Sequence, residues 1–156
     1  IQHRSTASNR CGFAGADQAT LGLFSQFGIP LGIAFQLRDD ILGVFGDPSI
    51  TGKPAGDDLR EGKRTVLVAL TKQALAEKAP SMVTTFEELL TSRNLDASQI
   101  TFLQKLISDS GALAKTETMI LELGDRALAT LEQSVLDEAG KSVLMVLAKK
   151  VIDRDA

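Results

Sequence analysis

The chain has 156 residues, of which 44% are hydrophobic and 24% are charged, and its formal net charge is −3. These values are typical of a soluble globular protein with one core, and the lack of a basic excess excludes a nucleic-acid partner. The single cysteine excludes an internal disulfide and favours a reducing, cytoplasmic location.

The N-terminal segment, residues 1–16, is polar and lacks helical periodicity. It is interpreted either as a disordered arm or as a segment whose sequence does not belong to its neighbours. From Asp17, a candidate N-cap, helix-period apolar spacing runs to about Val44. The apolar positions of this stretch include Leu21, Phe24, Phe27, Leu31, Phe35, Ile41 and Leu42. Because proline disrupts a helix interior, Pro30 predicts either a kink or two helices that meet there.

A loop rich in glycine and proline follows, from Gly46 to Gly62. Helical spacing then predicts helices over residues 64–75, 82–91, 97–108, 112–135 and 141–154. Gly111 and Gly140 are the natural boundaries of the last two. The stripe expected on the 112–135 helix consists of Leu113, Ile120, Leu123, Ala127, Leu131 and Val135. Since sustained alternation of period two is lacking, the chain is predicted to be all-α.

Adjacent acids stand in the otherwise apolar helix that precedes the loop. Gln36 lies three residues before Asp39 and four before Asp40, so the three side chains can share one broad face. Two neighbouring carboxylates repel each other unless a cation intervenes, and hard oxygen ligands suit Mg²⁺. An adjacent Asp pair alone is more often a solvated surface. The acidic pair indicates a metal site only when it is considered together with the loop that follows it.

Two lysines in the loop supply the opposite charge. Lys53 stands in TGKP and Lys63 in EGKR, each beside a glycine that permits close backbone approach to a ligand. An ammonium group is a compact charge that suits a phosphate oxygen. Either lysine alone is usually a surface residue. Together with the acidic pair, they predict a site that clamps a metal–diphosphate.

The stretch FQLRDDILGVFGDPSITGKPAGDDLREGKRT, from Phe35 to Thr65, resembles the second aspartate-rich region of the trans-isoprenyl diphosphate synthases. This family includes the farnesyl and geranylgeranyl diphosphate synthases. The resemblance implies an antiparallel helical bundle around a deep cavity, with residues 17–156 as the C-terminal helical portion of a partial isoprenoid synthase fold. It implies a prenyltransferase that condenses isopentenyl diphosphate with an allylic diphosphate, with Mg²⁺ as its cofactor.

Residue roles follow from the resemblance by position. Asp39 and Asp40 would be the magnesium ligands, and they would be catalytic together with Lys53. Lys53 and Lys63 would bind the allylic diphosphate, and Gln36 would line the site beside the reacting carbons.

Two further positions in the same motif call for comment. Asp58 occupies an acidic loop position of the family, with an expected indirect or water-mediated role in substrate binding. The family pattern places a third acid where this sequence has Gly43. With glycine at this position, one contact to the metal would have to come from a water molecule or from Asp47 instead.

Other family elements are not found in this sequence: the first aspartate-rich motif, the arginine-bearing isopentenyl diphosphate site and the Lys-Thr element. The chain, which begins at Ile1, is therefore expected to be a truncated protein or a fragment, inactive alone. Residues 4–13 differ from the apolar helix of the family and suggest a frame or sequencing disturbance. The parent is expected to be a homodimer that makes geranylgeranyl or farnesyl diphosphate.

Three functions are compatible with these features. The first is the prenyl diphosphate synthase portion. The second is a class I terpene cyclase on the same fold, which the lysine-bearing loop disfavours. The third is a non-catalytic regulatory or structural helical subunit. No apolar run approaches roughly 18 residues and no signal-peptide pattern opens the chain, so no stable membrane insertion is predicted.

Overall fold

A computed structural model describes the backbone of residues 5–153 and the side chains of residues 18–153. Within this part of the chain every regular element is an α-helix, which confirms the all-α prediction. The helices are α1 (Ser5–Phe45), α2 (Pro48–Thr51), α3 (Asp57–Arg60), α4 (Val66–Lys78), α5 (Pro80–Thr91), α6 (Ala97–Asp109), α7 (Ala112–Glu132) and α8 (Glu138–Ile152).

The first helix differs from its predicted form. It begins at Ser5 and continues to Phe45 with Pro30 inside it. Asp17 is therefore not its N-cap, and the alternative of two helices meeting near Pro30 is wrong. Residues 5–16 belong to α1, and the assignment of residues 1–16 as a separate polar segment stays a prediction.

Capping side chains fix the starts of the later helices. Thr65 accepts a hydrogen bond from the Val68 amide at the start of α4, and Asp96 and Gln99 form a reciprocal capping box at α6. Asp137 accepts a hydrogen bond from the Gly140 amide, so α8 begins at Glu138. Gly140 is thus inside the helix, which corrects its assignment as a boundary.

The bundle is built on an antiparallel pair, α1 and α7. The Thr130 hydroxyl lies 3.5 Å from the Gln26 carbonyl oxygen, and Arg38 pairs with Glu117 at the other end of the contact. Apolar side chains fill the seam between these points. They are Phe27, Leu31, Ala34, Leu37 and Ile41 of α1 and Ile120, Ala127 and Leu131 of α7.

A second core lies among α4, α5 and α6. Its fully buried side chains include Leu67, Phe86, Leu103 and Ile107. Leu59 of α3 and Val44 of α1 complete the cluster. The short helix α3 is thereby held against the C-terminal end of α1, and this contact positions the candidate site.

Several apolar residues predicted to be internal are exposed. Phe24 is 58% exposed and Phe35 46%, whereas Phe27 is buried, so only some of the apolar positions named for α1 belong to the core. Leu21 is also exposed, and Val135, predicted in the α7 stripe, is 99% exposed. Val135 follows the end of α7, and therefore no longer shares the helical face of that stripe.

The segment Gln18–Phe45 of α1 is long and apolar enough to cross a membrane, by length and composition alone. This corrects the expectation that no such stretch exists in the chain. The core helix of a soluble protein passes the same test, and one face of α1 packs along α7. The finding therefore does not by itself assign the helix to a membrane.

Candidate active site

One lysine side chain stands among three carboxylates. The Lys63 Nζ lies 3.9 Å from Asp39 Oδ2, 3.6 Å from Asp40 Oδ1 and 3.6 Å from Asp58 Oδ2. The first two acids come from the last turns of α1, Asp58 from α3, and Lys63 from the turn between α3 and α4. The structure thus brings together four of the residues that the sequence selected.

The two acids of α1 have different surroundings. The side chain of Asp40 is 5% exposed and that of Asp39 is 49% exposed. Burial raises the pKa of Asp40, although a hydrogen bond from Gln36 and the charge of Lys63 act in the opposite direction. Gln36 Nε2 donates that bond to Asp40 Oδ1 over 3.0 Å. Gln36 therefore orients a carboxylate of the site.

The Lys63 ammonium is stabilised in its charged form. Partial burial acts to lower its pKa, but the negative charges of Asp58, Asp40 and Asp39 outweigh burial and raise the pKa above its usual value. Lys63 thus remains a cation at neutral pH. The Lys63 ammonium thus lies where a cation would be expected among these three carboxylates.

The Asp58 side chain approaches Lys63 across the surface of α1 at Gly43, which has no side chain. A side chain on Gly43 would meet the Asp58 carboxylate, because an ideal Cβ there would lie 2.0 Å from Oδ2 and 2.3 Å from Cγ. The side chain of Asp58 is 16% exposed, and its buried Oδ2 has no hydrogen-bond partner. The Lys63 amide donates a hydrogen bond to the Asp58 carbonyl over 3.0 Å, which links the two residues locally.

Two loop residues are not part of this group. Lys53 is exposed, and its backbone forms a turn with the Thr51 hydroxyl; the ion pairs found among residues 18–153 do not include its ammonium. Asp47 caps α2, where its carboxylate accepts hydrogen bonds from the Ser49 amide and hydroxyl. These bonds lower the pKa of Asp47. The binding role of Lys53 stays a prediction.

Arg38, which precedes the acidic pair, is a contributor that the sequence analysis missed. Its side chain is 7% exposed; Nη1 lies 2.8 Å from Glu117 Oε1, and Nη2 donates to the Ile152 carbonyl oxygen over 3.0 Å. Arg38 thus ties the turn of α1 that carries Asp39 and Asp40 to α7 and to the end of α8. A lone arginine in an apolar helix was the available signal, but its partners lie far away in sequence.

An apolar cavity in the described part of the chain lies away from this group. It has a volume of about 920 Å³ and is lined by residues such as Leu23, Phe27, Leu136 and Leu144. Phe27 precedes Asp39 by twelve positions, which is about 18 Å along a helix. The cavity is therefore an apolar space beside the middle of α1 and does not contain the carboxylates.

The donor set fits a hard divalent cation that retains water. Carboxylate oxygens from Asp39, Asp40 and Asp58 lie within 3.9 Å of Lys63 Nζ, and hard oxygen ligands of this kind suit Mg²⁺ that is coordinated partly by water and substrate phosphate. Among residues 18–153, however, no three acidic, histidine or cysteine side chains enclose a ready-made metal site. Asp39 and Asp40 would hold the ion only together with further ligands.

Fold and site together define an all-α protein with acids for a divalent cation beside a lysine-bearing loop. The Polyprenyl synthetase family model matches residues 5–107. A geranylfarnesyl diphosphate synthase of Aeropyrum pernix is 34% identical over 144 residues, covering 90% of this chain and 42% of that protein. A geranylgeranyl diphosphate synthase of Mycobacterium tuberculosis is 37% identical over 93 residues, which are 60% of this chain and 27% of that protein.

A solved structure shows the same likeness in three dimensions. The geranylgeranyl pyrophosphate synthase from Corynebacterium glutamicum, complexed with isoprenyl diphosphate and magnesium, has a TM-score of 0.83 and 39% identity. The match covers 88% of this chain and 38% of that one. The chain belongs to the polyprenyl synthetase family, as its resemblance over Phe35–Thr65 predicted. It spans about two fifths of the length of the Aeropyrum pernix and Corynebacterium glutamicum proteins.

Two sequence-based expectations can be compared with this result. The family match begins at residue 5 and so includes most of the segment 4–13; a sequence disturbance within that segment stays a prediction. The partial isoprenoid synthase fold is confirmed by the structural neighbours.

Proposed function

We propose that this chain forms the part of a prenyltransferase active site that binds a magnesium–diphosphate. The observation that supports this proposal most directly is that three carboxylates surround Lys63, next to a glycine-rich loop that holds a second lysine. The substrates would be isopentenyl diphosphate and an allylic diphosphate. The relatives' names, geranylgeranyl and geranylfarnesyl diphosphate synthase, support this class of reaction.

Each residue has a definite task in this proposal. Asp39 and Asp40 hold Mg²⁺, and Gln36 keeps the Asp40 carboxylate in position. Bound magnesium stabilises the negative charge of a departing diphosphate. Lys63 would neutralise a phosphate oxygen of the bound diphosphate, and Lys53 in the exposed loop would contact the same diphosphate.

The finer properties are part of the same proposal. The product is geranylgeranyl diphosphate, with farnesyl diphosphate second, and the complete enzyme is a cytoplasmic homodimer. The 156-residue chain alone binds Mg²⁺–diphosphate weakly and does not turn over, since most of the relatives' length has no counterpart in it.

Calorimetry tests the binding site directly. The purified chain is titrated with inorganic pyrophosphate in Mg²⁺, and Asp39→Ala is expected to weaken binding by about 10-fold or more, because a charged ligand is lost. Asp109→Ala removes an exposed acid at the end of α6 and serves as the charge-matched control. Equal titrations for the parent and Asp39→Ala would contradict the site and favour the non-catalytic alternative.

A chimera tests the reaction. The chain replaces the matching 38% of the Corynebacterium glutamicum synthase, and product formation from labelled isopentenyl diphosphate is measured. We expect an active chimera that Asp39→Ala inactivates. A folded but inactive chimera would contradict a catalytic role, whereas prenyl transfer by the chain alone would contradict its proposed dependence on a further portion.

A further inference from the structure

The C-terminal end of α8 contacts α1 at the residue that precedes the acidic pair. Arg38 Nη2 donates a hydrogen bond to the Ile152 carbonyl oxygen over 3.0 Å, and Nη1 lies 2.8 Å from Glu117 Oε1 of α7. The last carbonyl groups of a helix have no partner within that helix, and a cation beside them is favourable. Arg38 therefore caps the end of α8 and joins three helices at one point.

Arg38 depends on this contact because it is buried. Its side chain is only 7% exposed, and its Nε is buried without a hydrogen-bond partner among the described residues. Leaving a further donor of a buried guanidinium unpaired is unfavourable. A shift of the Ile152 carbonyl would therefore force the Arg38 side chain and the turn that carries it to adjust.

The side chain of Ile152 occupies a space that a glycine of α7 leaves open. A Cβ on Gly124 would lie 2.4 Å from Ile152 Cδ1 and 2.5 Å from Cγ1. By contrast, a Cβ on Gly28 of α1 would have nothing within 4 Å. Glycine is unfavourable in a helix interior, and at position 124 the close approach of Ile152 gives the reason for it.

Val151 adds an apolar contact between the same two elements. It packs against the buried cluster that includes Leu37 and Ile41, which lie on either side of residues 38–40. The end of α8 is thus fixed to this turn of α1 through apolar side chains as well as through Arg38.

Resting on the proposed magnesium–diphosphate function, we infer that the C-terminal end of α8 positions the turn of α1 that carries Asp39 and Asp40. Ile152 is a positioning residue: Gly124 fixes its side chain, and its carbonyl holds Arg38. These residues touch neither metal nor diphosphate. They act on binding because carboxylates that share a cation must be held in place by the groups behind them.

Calorimetry with Mg²⁺ and inorganic pyrophosphate measures this effect, at a temperature where circular dichroism shows each variant to be fully folded. Gly124→Ala displaces the Ile152 side chain and should weaken binding by about 3-fold or more. Gly28→Ala, at an open glycine of α1, should bind like the parent. A Gly124→Ala variant that melts at a lower temperature but binds like the parent would overturn the inference, because the contact would then only stabilise the fold.

A compensating pair of variants tests the placement of Ile152. With alanine at both positions, the two Cβ atoms would lie 3.8 Å apart, an ordinary van der Waals distance. Gly124→Ala in the Ile152→Ala background should therefore bind more tightly than Gly124→Ala alone, since the clash is gone and the carbonyl at position 152 remains. A double variant as weak as Gly124→Ala would overturn the placement.

Coupling to Arg38 distinguishes positioning from general destabilisation. If the end of α8 acts through Arg38, Gly124→Ala should weaken binding in the parent but hardly further in the Arg38→Met background. Losses that simply add would overturn the inference, because they would show that the two residues affect binding independently.

The two proposals fail differently. A parent chain that binds no Mg²⁺–pyrophosphate overturns both. A parent that binds, and that Asp39→Ala weakens while Gly124→Ala does not, overturns only the role of α8.

Discussion

Two regions of the molecule cover their apolar surface to different extents. The α4–α6 region encloses its core, with Phe86, Leu103 and Ile107 at 0% exposure. The region formed by α1, α7 and α8 buries one seam and leaves many large apolar side chains in solvent. These are Leu21, Phe24, Ile29, Ile33, Phe35, Leu121, Val143, Val146 and Leu147.

The exposed side of α1 leads directly to the candidate site. Ile29, Ile33 and Gln36 are exposed and follow one another at helical spacing toward the half-exposed Asp39. A contiguous apolar surface of this kind marks a contact with a ligand or another protein surface. The α4–α6 region thus encloses a core of its own and exposes only Val66 and Phe102 among its large apolar side chains, whereas α1 leaves several exposed.

The sharpest test of this comparison is a matched pair of phenylalanine variants. Phe86→Ala in the closed core should lower the free energy of unfolding by about 3 to 5 kcal/mol, because a buried ring leaves a cavity. Phe24→Ala, at 58% exposure on α1, should lower it by less than about 1 kcal/mol. Chemical denaturation of both variants and the parent measures the difference.

Equal losses for the two variants would break the comparison. A large loss for Phe24→Ala would mean that α1 is covered in solution, by another copy or by a ligand in the nearby cavity. Repeating the denaturation over a range of protein concentrations distinguishes these cases, since only association between copies makes stability depend on concentration.

Arg38 gives the next largest expected effect, and it probes how α1 is fixed to its partners. Arg38→Met removes the pair with Glu117 and the bond to the Ile152 carbonyl, so it should cost about 1 to 3 kcal/mol. Glu117→Gln, which keeps the second bond, should cost less. Arg126→Met, at an exposed position of α7, is the control that should change little. Denaturation midpoints report all three.

The Arg38→Met variant also tests the candidate active site. If Arg38 fixes the turn that carries the acids, Arg38→Met should weaken Mg²⁺–pyrophosphate binding even at temperatures where the variant is fully folded. A variant that is destabilised but binds like the parent would limit Arg38 to a structural role.

The sequence predicted the helical class and most helix positions, because short-range spacing determines these features. It grouped the acids with Lys63 only through the composition of the loop that follows them and the family resemblance, and by the same reasoning it included Lys53, which lies apart. It did not distinguish Phe24 from Phe27, since both fit an apolar helix and only the packing of α7 separates them. The Gly43–Asp58 approach was equally hidden. It depends on how α3 docks against α1, and no local pattern encodes that contact.

The smallest expected effect lies on the surface of the closed region, where Glu87 of α5 accepts a charged hydrogen bond from Lys72 and three from Arg64. The bond from Lys72, with the help of Arg64, lowers the pKa of Glu87 below its usual 4.5. A carboxylate with a lowered pKa stabilises the fold above pH 4.5, and this contribution disappears as the pH falls through the depressed pKa. Lys72→Met should therefore reduce stability at pH 7.

Because these groups are partly solvated, the loss at pH 7 should stay below about 1 kcal/mol and shrink in high salt. Below the depressed pKa of Glu87, the curves of the parent and Lys72→Met should meet. A loss that persists at low pH would show that the lysine stem acts by packing on α4 and α5 rather than by charge. In that case apolar packing would stabilise the α4–α6 region even at its surface. The two regions would then differ more in apolar packing than the ion pairs of Glu87 indicate.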